Sequence, residues 1–484
     1  MKTIFERPRS DAPSSFVPRG SEPRQPVEGE IDHDLLREDP PRIPTLAEPV
    51  VVRHYTALSK ANFGVDDGFY PLGSCTMKYN PKLNEAVAAL PGFAFLHPQT
   101  DPDSAQGTLE LLHGLTDLLR QIAGMSAVSL QPVAGAHGEL TGMLLFKRYF
   151  EERNETARAR ILLPDSAHGT NPASAAVAGF STVEIPSDKR GMVDVDALRA
   201  ALDETAAGIM LTVPNTLGIF EERILEITEA VHDAGGLCYF DGANLNAFLG
   251  RVRPGDMGAD VFHFNLHKTL STPHGGGGPG AGPIAVSEKL EEFLPVPRIV
   301  AEDGRYRLDR DYPRSIGSVH SFYGNVLVAV KAYAYLLRLG DEGLREVSEN
   351  AVLNANYLRV RLKETFGLPY DALCKHEFVL SAKDLPNEVT ALDVAKRLID
   401  YGIHPPTIYF PLIVREALMI EPTETESKAS LDAFADAMER IAAEAASDPE
   451  ILRTAPHEAP VRRLDQTRAA RDPILTYPLE DAEA

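Results

Sequence analysis

The segment "HFNLHKTLSTPHGGGGPG" carries the clearest candidate for chemistry in this sequence. It places Lys268 between His267 and His274, directly after a stretch in which apolar and polar residues alternate. Lysine is seldom found at the end of a buried strand unless its amine has a function there. Such an amine can form a Schiff base with a carbonyl group. The run Gly275 to Gly278 that follows would let another backbone or a ligand approach closely.

Further polar or small residues follow other apolar runs. They are Asp241 and Asn244 in "FDGANLN", Gly135, Ala136 and His137 in "PVAGAHGE", His168 in "PDSAHGTNPAS", and Asn215 in "TVPNTLGIFE". Pyridoxal phosphate needs a lysine for a Schiff base, a carboxylate against its ring nitrogen, a flat group on its ring and a cup of N–H groups for its phosphate. Lys268, Asp241, His168 and the "AGAHGE" turn can supply these groups.

Each of these residues also has an ordinary structural interpretation. A lone lysine is usually a solvated surface residue, and a lone aspartate usually caps a turn. Lone histidines are more often hydrogen-bonded structural residues, and a glycine run can be a flexible loop. A metal site of His263, His267 and His274 is disfavoured, because the first pair has helical spacing in a segment that reads as a strand. The combination therefore favours the cofactor, and no metal is predicted.

The elements that must position these residues alternate between strands and helices. Predicted strands are "AVSLQPV", "ARILLP", "GIMLTVP", "GLCYFD", "ADVFHFN" and "GPIAVS", with helices "ELTGMLLFKRYFEER" and "EERILEITEAVHDAG" between them. Such alternation predicts an α/β fold with a mostly parallel sheet that is covered on both faces. Ligands bind at the carboxyl ends of the strands in these sheets, where the candidate residues lie.

The pattern changes after about residue 325. Two long helical segments, "NVLVAVKAYAYLLRLG" and "EGLREVSENAVLNANYLRVRLKETFG", each end at a glycine, which is typical of helix C-termini. "TETE" predicts a capping box before "SLDAFADAMERIAAEA". These features predict a smaller C-terminal α+β domain. The predicted divisions are an extended arm over 1–60, a large domain over 61–325, a small domain over 326–450 and a tail over 451–484.

Composition excludes several classes of protein. The chain has 484 residues, of which 44% are hydrophobic, and a formal net charge of −22, which argues against nucleic-acid binding. Its three cysteines, Cys75, Cys238 and Cys374, form no CxxC pair, so a zinc ribbon is not expected. No signal peptide or long apolar run is apparent, so we expect no membrane association and a cytoplasmic location.

Five segments together resemble one family: "PLGSCTMKYNP", "SAHGTNPASA", "DGANLNA", "NLHKTLSTPHGGGGPG" and "MIEPTETESKASLD". This family is the P-protein of the glycine cleavage system, the pyridoxal-phosphate-dependent decarboxylating glycine dehydrogenase. Some members join two homologous halves in one chain and others are split into two subunits. The sequence resembles the lysine-bearing half, subunit 2 of the split form. One departure is "TLSTPHGG", where members commonly carry "TFCIPHGG", so no mechanism should invoke a thiol next to Lys268 in the sequence.

The resemblance implies the aspartate-aminotransferase-like fold, fold type I, and roles by position. Lys268 would bind the cofactor, Asp241 would pair with the ring nitrogen, and His168 would stack on the ring. Asn244 and Asn215 would address the phenolic side of the ring. The phosphate would be held by Gly135, Ala136, His137 and His267. The segment from Ser74 to Lys78 would line the substrate entrance.

The resemblance also implies decarboxylation of glycine, release of carbon dioxide and transfer of the aminomethyl group to the lipoyl group of the H-protein. The implied partners are a homologous subunit without the lysine, with two copies of each chain, and transiently docked lipoylated H-protein. Two alternatives stay open. One is another enzyme of this fold, such as a desulfurase or an aminotransferase, although Cys75 and Cys374 lie in no loop suited to a mobile nucleophile. The other is a non-catalytic structural subunit, against which Lys268 and Asp241 argue.

Overall fold

The computed structural model describes residues 2–7, 31–36, 44, 46–97, 100–275 and 280–476. Val65–Ala455 forms one compact unit, and Met1–Gly64 with Pro456–Ala484 forms another. The predicted boundaries near residues 325 and 450 stay predictions. Most of the predicted extended arm, and the glycines from 276 to 278, lie outside the described residues. Within that arm, Glu48–Lys60 forms a helix instead of extended chain, with a proline in its first turn.

The helices follow one another along the described chain as α1 (Glu48–Lys60), α2 (Lys82–Ala88), α3 (Pro91–Ala94), α4 (Gln106–Ala123), α5 (Gly135–Glu152), α6 (Thr170–Val177), α7 (Val195–Ala201), α8 (Ile224–Asp233), α9 (Val326–Leu362), α10 (Ala391–Asp400), α11 (Lys428–Ser447), α12 (Pro449–Arg453) and α13 (Gln466–Arg471). None of these described helices has the length and apolar character that a membrane span requires.

A seven-stranded sheet forms the centre of the larger unit. Its strands are β1 (Ala127–Ser129), β2 (Arg160–Pro164), β3 (Ser181–Ile185), β4 (Ala206–Thr212), β5 (Leu237–Gly242), β6 (Val261–Phe264) and β7 (Ile284–Val286). They lie in the order β1-β7-β6-β5-β4-β2-β3. The five strands from β6 to β3 are parallel, and β7 is antiparallel to both neighbours. The predicted α/β fold with a mostly parallel sheet is confirmed.

Both faces of this sheet are buried, which explains the nearly continuous apolar runs in its strands. Along β5, Cys238 and Phe240 pack into the core beneath α4, α7, α8 and α9. Leu237 and Tyr239 point to the opposite face and pack with α5 and α6. Because successive side chains alternate, a single strand supplies both cores and still ends in polar residues at its carboxyl end.

The C-terminal part of this unit contains a hairpin and a second sheet. The hairpin is β8 (Arg298–Glu302) with β9 (Arg305–Asp309), and the antiparallel sheet has the order β10 (Phe378–Ser381), β12 (Ala417–Ile420), β11 (Thr407–Ile408). A separate apolar core lies between this sheet and helices α9, α10 and α11.

Two helix boundaries differ from the sequence prediction. The first long helical segment does break at Gly340, whose φ of 63° is left-handed, but the second ends at Leu362, before the predicted glycine. The predicted capping box at Thr423 is wrong. Thr423 has a φ of 65°, and α11 is capped instead by Ser427, whose side chain accepts a hydrogen bond from the backbone N–H of Ser430.

Candidate active site

A cavity of about 180 Å³ lies at the carboxyl ends of the parallel strands. Loops after β2, β4, β5 and β6 form its walls, together with the first turn of α5 and a segment that we call the strap, residues 73–78. The lining residues are Ser74, Gly135, Ala136, Glu139, His168, Thr170, Thr212, Thr216, Asp241, Ala243, Asn244, His263, Asn265, His267 and Lys268. Seven of the nine predicted site residues are therefore brought together, and His137 and Asn215 are not among them.

The two predicted residues that do not line the cavity are used within their own turns. The Asn215 side chain donates to the Gly191 carbonyl at 2.7 Å and accepts from the Leu217 N–H at 3.0 Å. The predicted contact of Asn215 with the ring stays a prediction, and in the structure its amide stabilises the turn after β4. His137 accepts a hydrogen bond from the Val133 N–H at 3.2 Å through Nδ1. That bond holds the imidazole against the turn before α5, outside the cavity lining.

Lys268 follows β6 by four residues. A hydrogen bond from its own N–H to the Asn265 carbonyl, 3.0 Å long, closes the turn that carries it. Its Nζ donates to the carbonyl of Ser74 at 2.8 Å, so the amine is held at the cavity wall by the strap. A half-buried primary amine in this position is available for the covalent chemistry predicted from the sequence.

Asp241 and His263 are directly opposite each other on β5 and β6. Their Oδ1 and Nε2 atoms are 3.3 Å apart, and the N–H of Ala243 donates to the same Oδ1 at 2.9 Å. Burial lowers the pKa of His263, so this imidazole is neutral near pH 7. The Asp241 carboxyl group is buried and held in a fixed orientation, which suits it to pair with a protonated ring nitrogen.

Glu139 is a cavity residue that the sequence interpretation missed. It is 4% exposed and is hydrogen-bonded to the hydroxyls of Thr170, at 2.8 Å, and Ser174, at 3.1 Å. Burial, and then the charge of Asp241, raise its pKa to about 7. The signal was present in the sequence, because Glu139 lies one helical turn after Gly135 and therefore on the same face of α5.

His267 lines the cavity but is held as a neutral ring. Its Nδ1 accepts a hydrogen bond from the Ala281 N–H at 3.3 Å. Burial and the nearby charge of Lys268 lower its pKa to about 3. The neighbouring His274 packs edge-on against it and contacts the Cys75 carbonyl at 3.1 Å. The hydrogen-bond partners of His267 and His274 are thus backbone groups. Among the described residues, His263 lies in a cluster of possible metal ligands with Glu139 and Asp241, not with His267 and His274.

Pyridoxal phosphate fits the groups around this cavity. The N-terminus of α5 has no side-chain cap, so the N–H groups of its first turn are available to an anion. A Cβ on Gly135 would lie 2.4 Å from Asn265 Oδ1, so only glycine allows this close approach. The Thr212 hydroxyl is buried against the cavity without a hydrogen-bond partner. With Lys268 and Asp241, these groups meet the needs of the cofactor's aldehyde, ring nitrogen and polar substituents.

The strap is held over Lys268 by two fully buried glutamates. The N–H of Ser74 donates to Glu377 at 2.8 Å, and the N–H of Thr76 donates to Glu421 at 2.9 Å. Ser74 and Thr76 have φ values of 65° and 51°, a strained conformation for residues with a Cβ. Burial raises the pKa of both glutamates. These two glutamates therefore fix the Ser74 carbonyl, which accepts the hydrogen bond from the Lys268 amine.

The strap matches its predicted place at the entrance only in part. Ser74 lines the cavity, but Lys78 is 2% exposed and its amine is bonded to Glu424, at 2.5 Å, and to the Thr269 carbonyl, at 2.7 Å. Cys75 is also on the strap, where the charge of Lys268 partly opposes the effect of burial on the pKa of its thiol. Burial raises the pKa of that thiol, which keeps it protonated and unsuited to nucleophilic attack.

Comparisons with known proteins agree on one family. The chain is 57% identical to "Probable glycine dehydrogenase (decarboxylating) subunit 2" of Caldanaerobacter subterraneus subsp. tengcongensis over 98% of each chain. It is 56% identical to the protein of the same name from Kosmotoga olearia, over 98% of this chain and 99% of that one. Residues 347–457 match the family "Glycine dehydrogenase, C-terminal domain", and residues 151–296 match "Aminotransferase class-V".

Solved structures give the same fold. Glycine decarboxylase (P-protein) of the glycine cleavage system, in an inhibitor-bound form, superposes with a TM-score of 0.72 at 22% identity, covering 86% of this chain and 94% of that one. A cysteine desulfurase from Thermococcus onnurineus NA1 superposes with a TM-score of 0.61 at 16% identity, covering 78% and 95%.

The parallel sheet and the class-V match define a pyridoxal-phosphate-dependent enzyme of fold type I, as predicted. Within that class, the chain belongs to the glycine dehydrogenase (decarboxylating) subunit 2 family, because its identity to members exceeds 50% over nearly its whole length. The family resemblance, the fold class and the cofactor predicted from the sequence are confirmed, and the desulfurase, aminotransferase and structural-subunit alternatives are disfavoured.

Proposed function

We propose that this chain carries the active site for decarboxylation of glycine, releasing carbon dioxide and passing the aminomethyl group to the lipoyl group of the H-protein. The observation that supports this most directly is that the Lys268 amine and the Asp241 carboxylate line one small cavity. The uncapped first turn of α5 opens at the same cavity. A purely structural subunit would have no need to keep these groups together.

Bound pyridoxal phosphate supplies an electron sink for the bond that breaks when carbon dioxide leaves. Lys268 would hold its aldehyde carbon, and Asp241 would keep its ring nitrogen protonated. The N–H groups of Gly135 and Ala136 would hold its phosphate. His168 would cover the ring, and Asn244, whose amide donates to the Pro214 carbonyl at 2.8 Å, would be oriented beside it.

When the substrate amine occupies the position that Lys268 would hold at the cofactor, the Lys268 amine still has a hydrogen-bond acceptor. The carbonyl of Ser74, 2.8 Å away, accepts a hydrogen bond from the free amine and keeps it at the cavity wall. From there Lys268 can accept or return a proton and rebind the cofactor. Because Glu377 and Glu421 hold the strap, this acceptor does not need to be rebuilt in each cycle.

The proposed partners are a homologous subunit 1 without the lysine, with two copies of each chain, and the lipoylated H-protein, which docks transiently. Phe95 and Leu412 are each 85% exposed in the isolated chain, and a neighbouring subunit would cover side chains of this kind. A cytoplasmic location is part of the same proposal.

The test is exchange of labelled carbon dioxide into glycine, measured with this chain, its companion subunit and lipoylated H-protein. Lys268→Ala should abolish exchange and the absorbance of the lysine-bound cofactor. Lys147→Ala is the matched control, because the Lys147 amine also donates to a backbone carbonyl, that of Ala178 at 3.1 Å, but outside the cavity. Normal exchange by Lys268→Ala, or none by the wild-type complex, would refute the proposal.

A further inference from the structure

The hydrogen bonds around Glu139 form a chain that reaches His168. Glu139 Oε1 is 2.8 Å from the Thr170 hydroxyl oxygen, and that oxygen is 3.0 Å from His168 Nδ1. The backbone N–H of Thr170 also donates to Nδ1, at 3.3 Å. Ser174 donates its hydroxyl to the other carboxyl oxygen of Glu139. The Thr170 side chain therefore lies between a carboxyl group and an imidazole.

The number of available hydrogens limits how protons can be arranged along the hydrogen bonds between Glu139, Thr170 and His168. The Thr170 hydroxyl carries one hydrogen, so it cannot donate to both Glu139 and His168. If Glu139 is neutral, its own hydrogen goes to Thr170, the Thr170 hydrogen goes to Nδ1, and both Thr170 donors point at an unprotonated nitrogen. If Glu139 is ionised, Thr170 donates to Glu139 and Nδ1 must carry a hydrogen, which then faces the Thr170 N–H. The hydrogen bond from the Thr170 N–H to Nδ1, 3.3 Å long, fits the first state, because it requires an unprotonated Nδ1.

We propose that Glu139 is a positioning residue that sets, through the Thr170 hydroxyl, which ring nitrogen of His168 carries the proton. A neutral Glu139 leaves the proton on Nε2, which is then a hydrogen-bond donor. An ionised Glu139 moves the ring proton to Nδ1 and makes Nε2 an acceptor. The change is balanced by the loss of one proton from Nε2, while the Glu139 proton passes to Thr170 and the Thr170 proton passes to Nδ1.

The surrounding charges place this change near neutral pH. Burial, followed by Asp241, raises the pKa of Glu139 to about 7, and hydrogen bonds from Thr170 and Ser174 and the charge of Lys268 oppose the rise. Burial lowers the pKa of His168, so the ring stays neutral and only its tautomer changes. The titratable groups that face Glu139 and His168 from neighbouring elements are Tyr239, Asp241, His263 and Lys268.

This inference deepens the proposed function, because His168 lies in the same cavity, but it does not depend on turnover. A ring that covers the cofactor can offer the substrate either a donor or an acceptor at Nε2. The protonation state of Glu139 would decide whether Nε2 is a donor or an acceptor. Glu139 would act through the Thr170 hydroxyl, which is bonded to Nδ1 on the other side of the ring.

The test is nuclear magnetic resonance of the full-length chain with 15N-labelled histidine and 13C-labelled glutamate. His168→Gln and Glu139→Gln identify the two signals by their loss. In the wild type, we expect His168 to carry its proton on Nε2 below about pH 7 and on Nδ1 above it, with the same midpoint as the Glu139 carboxyl. Glu139→Gln should remove the pH-dependent step at His168.

Thr170 provides a matched pair of variants. Thr170→Ser keeps the hydroxyl and should preserve the shared midpoint, whereas Thr170→Val keeps the shape and should leave His168 without a step where Glu139 titrates. The proposal is overturned if wild-type His168 carries its proton on Nδ1 at acid pH, or if Thr170→Val follows the wild-type curve. Both readouts are independent of glycine decarboxylation, so a failure of the proposed function would be seen separately.

Discussion

Two buried clusters near Lys268 have nearly the same composition and different surroundings. The floor cluster contains Glu139, Asp241 and His263, and the strap cluster contains His376, Glu377 and Glu421. In both clusters each residue has one side-chain nitrogen or oxygen atom that lies within 4.8 Å of those of the other two. The floor cluster lines the cavity, whereas His376, Glu377 and Glu421 are all 0% exposed.

The groups that are hydrogen-bonded to the glutamates differ between the two clusters, and this difference accounts for the different roles of the clusters. Glu139 in the floor cluster is bonded to two hydroxyls, and a hydroxyl can either donate or accept when a proton moves. The strap glutamates accept from the backbone N–H groups of Ser74 and Thr76, which can only donate. In the relay proposed above, the glutamate whose partners are hydroxyls can exchange a proton, whereas the glutamates whose partners are backbone amides hold the strap in place.

The largest expected effect comes from breaking the floor cluster at Asp241. Asp241→Asn keeps the shape but removes the charge that, in the proposed function, would hold the ring nitrogen protonated, so exchange of carbon dioxide into glycine should fall at least about 100-fold. Asp260→Asn is the control, because Asp260 is also a buried carboxylate but is paired with His232 and Lys289. A loss within about threefold, roughly 0.7 kcal/mol, would show that Asp241 is not the ring partner.

The sequence predicts much of the floor cluster and little of the strap cluster. Asp241 and Lys268 follow apolar strands, so their meeting at one edge of a parallel sheet follows from periodicity and topology. Glu377 and Glu421 lie more than 300 residues after Ser74 and Thr76, next to strands of the second sheet, so they meet the strap only in the folded chain. No local pattern marks such a contact, because the acceptor and the backbone donor have no fixed spacing.

The second prediction tests the strap cluster at Glu377. Glu377→Leu leaves the N–H of Ser74 buried without an acceptor, which costs about 1–3 kcal/mol. Amide hydrogen exchange over residues 73–78 should therefore accelerate roughly 5- to 150-fold, while exchange in α5 stays unchanged. Glu377→Gln retains an acceptor oxygen and should keep the strap protected. Equal protection in Glu377→Leu would show that the strap does not depend on this anchor.

The third prediction concerns pH and His376. Burial, and then the charge of Lys268, lower the pKa of His376 to about 3, so the folded chain leaves this ring neutral in mildly acid solution. The unfolded chain takes up a proton below about pH 6.5. Between about pH 6.5 and 3 this single group should therefore reduce the free energy of unfolding by about 1.4 kcal/mol per pH unit.

His376→Leu should remove that contribution, so the difference in unfolding free energy between variant and wild type should change with this slope in urea titrations at several pH values. Parallel curves for the two proteins would contradict the assignment. The result would also sharpen the comparison, because the floor histidine, His263, lies beside the Asp241 carboxylate at 3.3 Å, which partly offsets its burial.

The smallest expected effect is a tuning of the floor cluster through Ser174. The Ser174 hydroxyl donates to Glu139 Oε2 at 3.1 Å and is one of the groups that hold the pKa of Glu139 down. Ser174→Ala removes a donor that favours the ionised carboxylate, so the pKa of Glu139 should rise. The carboxyl 13C titration would measure this, and the His168 tautomer midpoint should move with it. Ser181→Ala, which removes an exposed hydroxyl bonded to the Ala159 carbonyl, should leave both midpoints in place. A midpoint for Glu139 that is unchanged in Ser174→Ala would mean that the hydroxyl does not act on the carboxyl charge, and the contrast with the amide-bonded strap cluster would then fail.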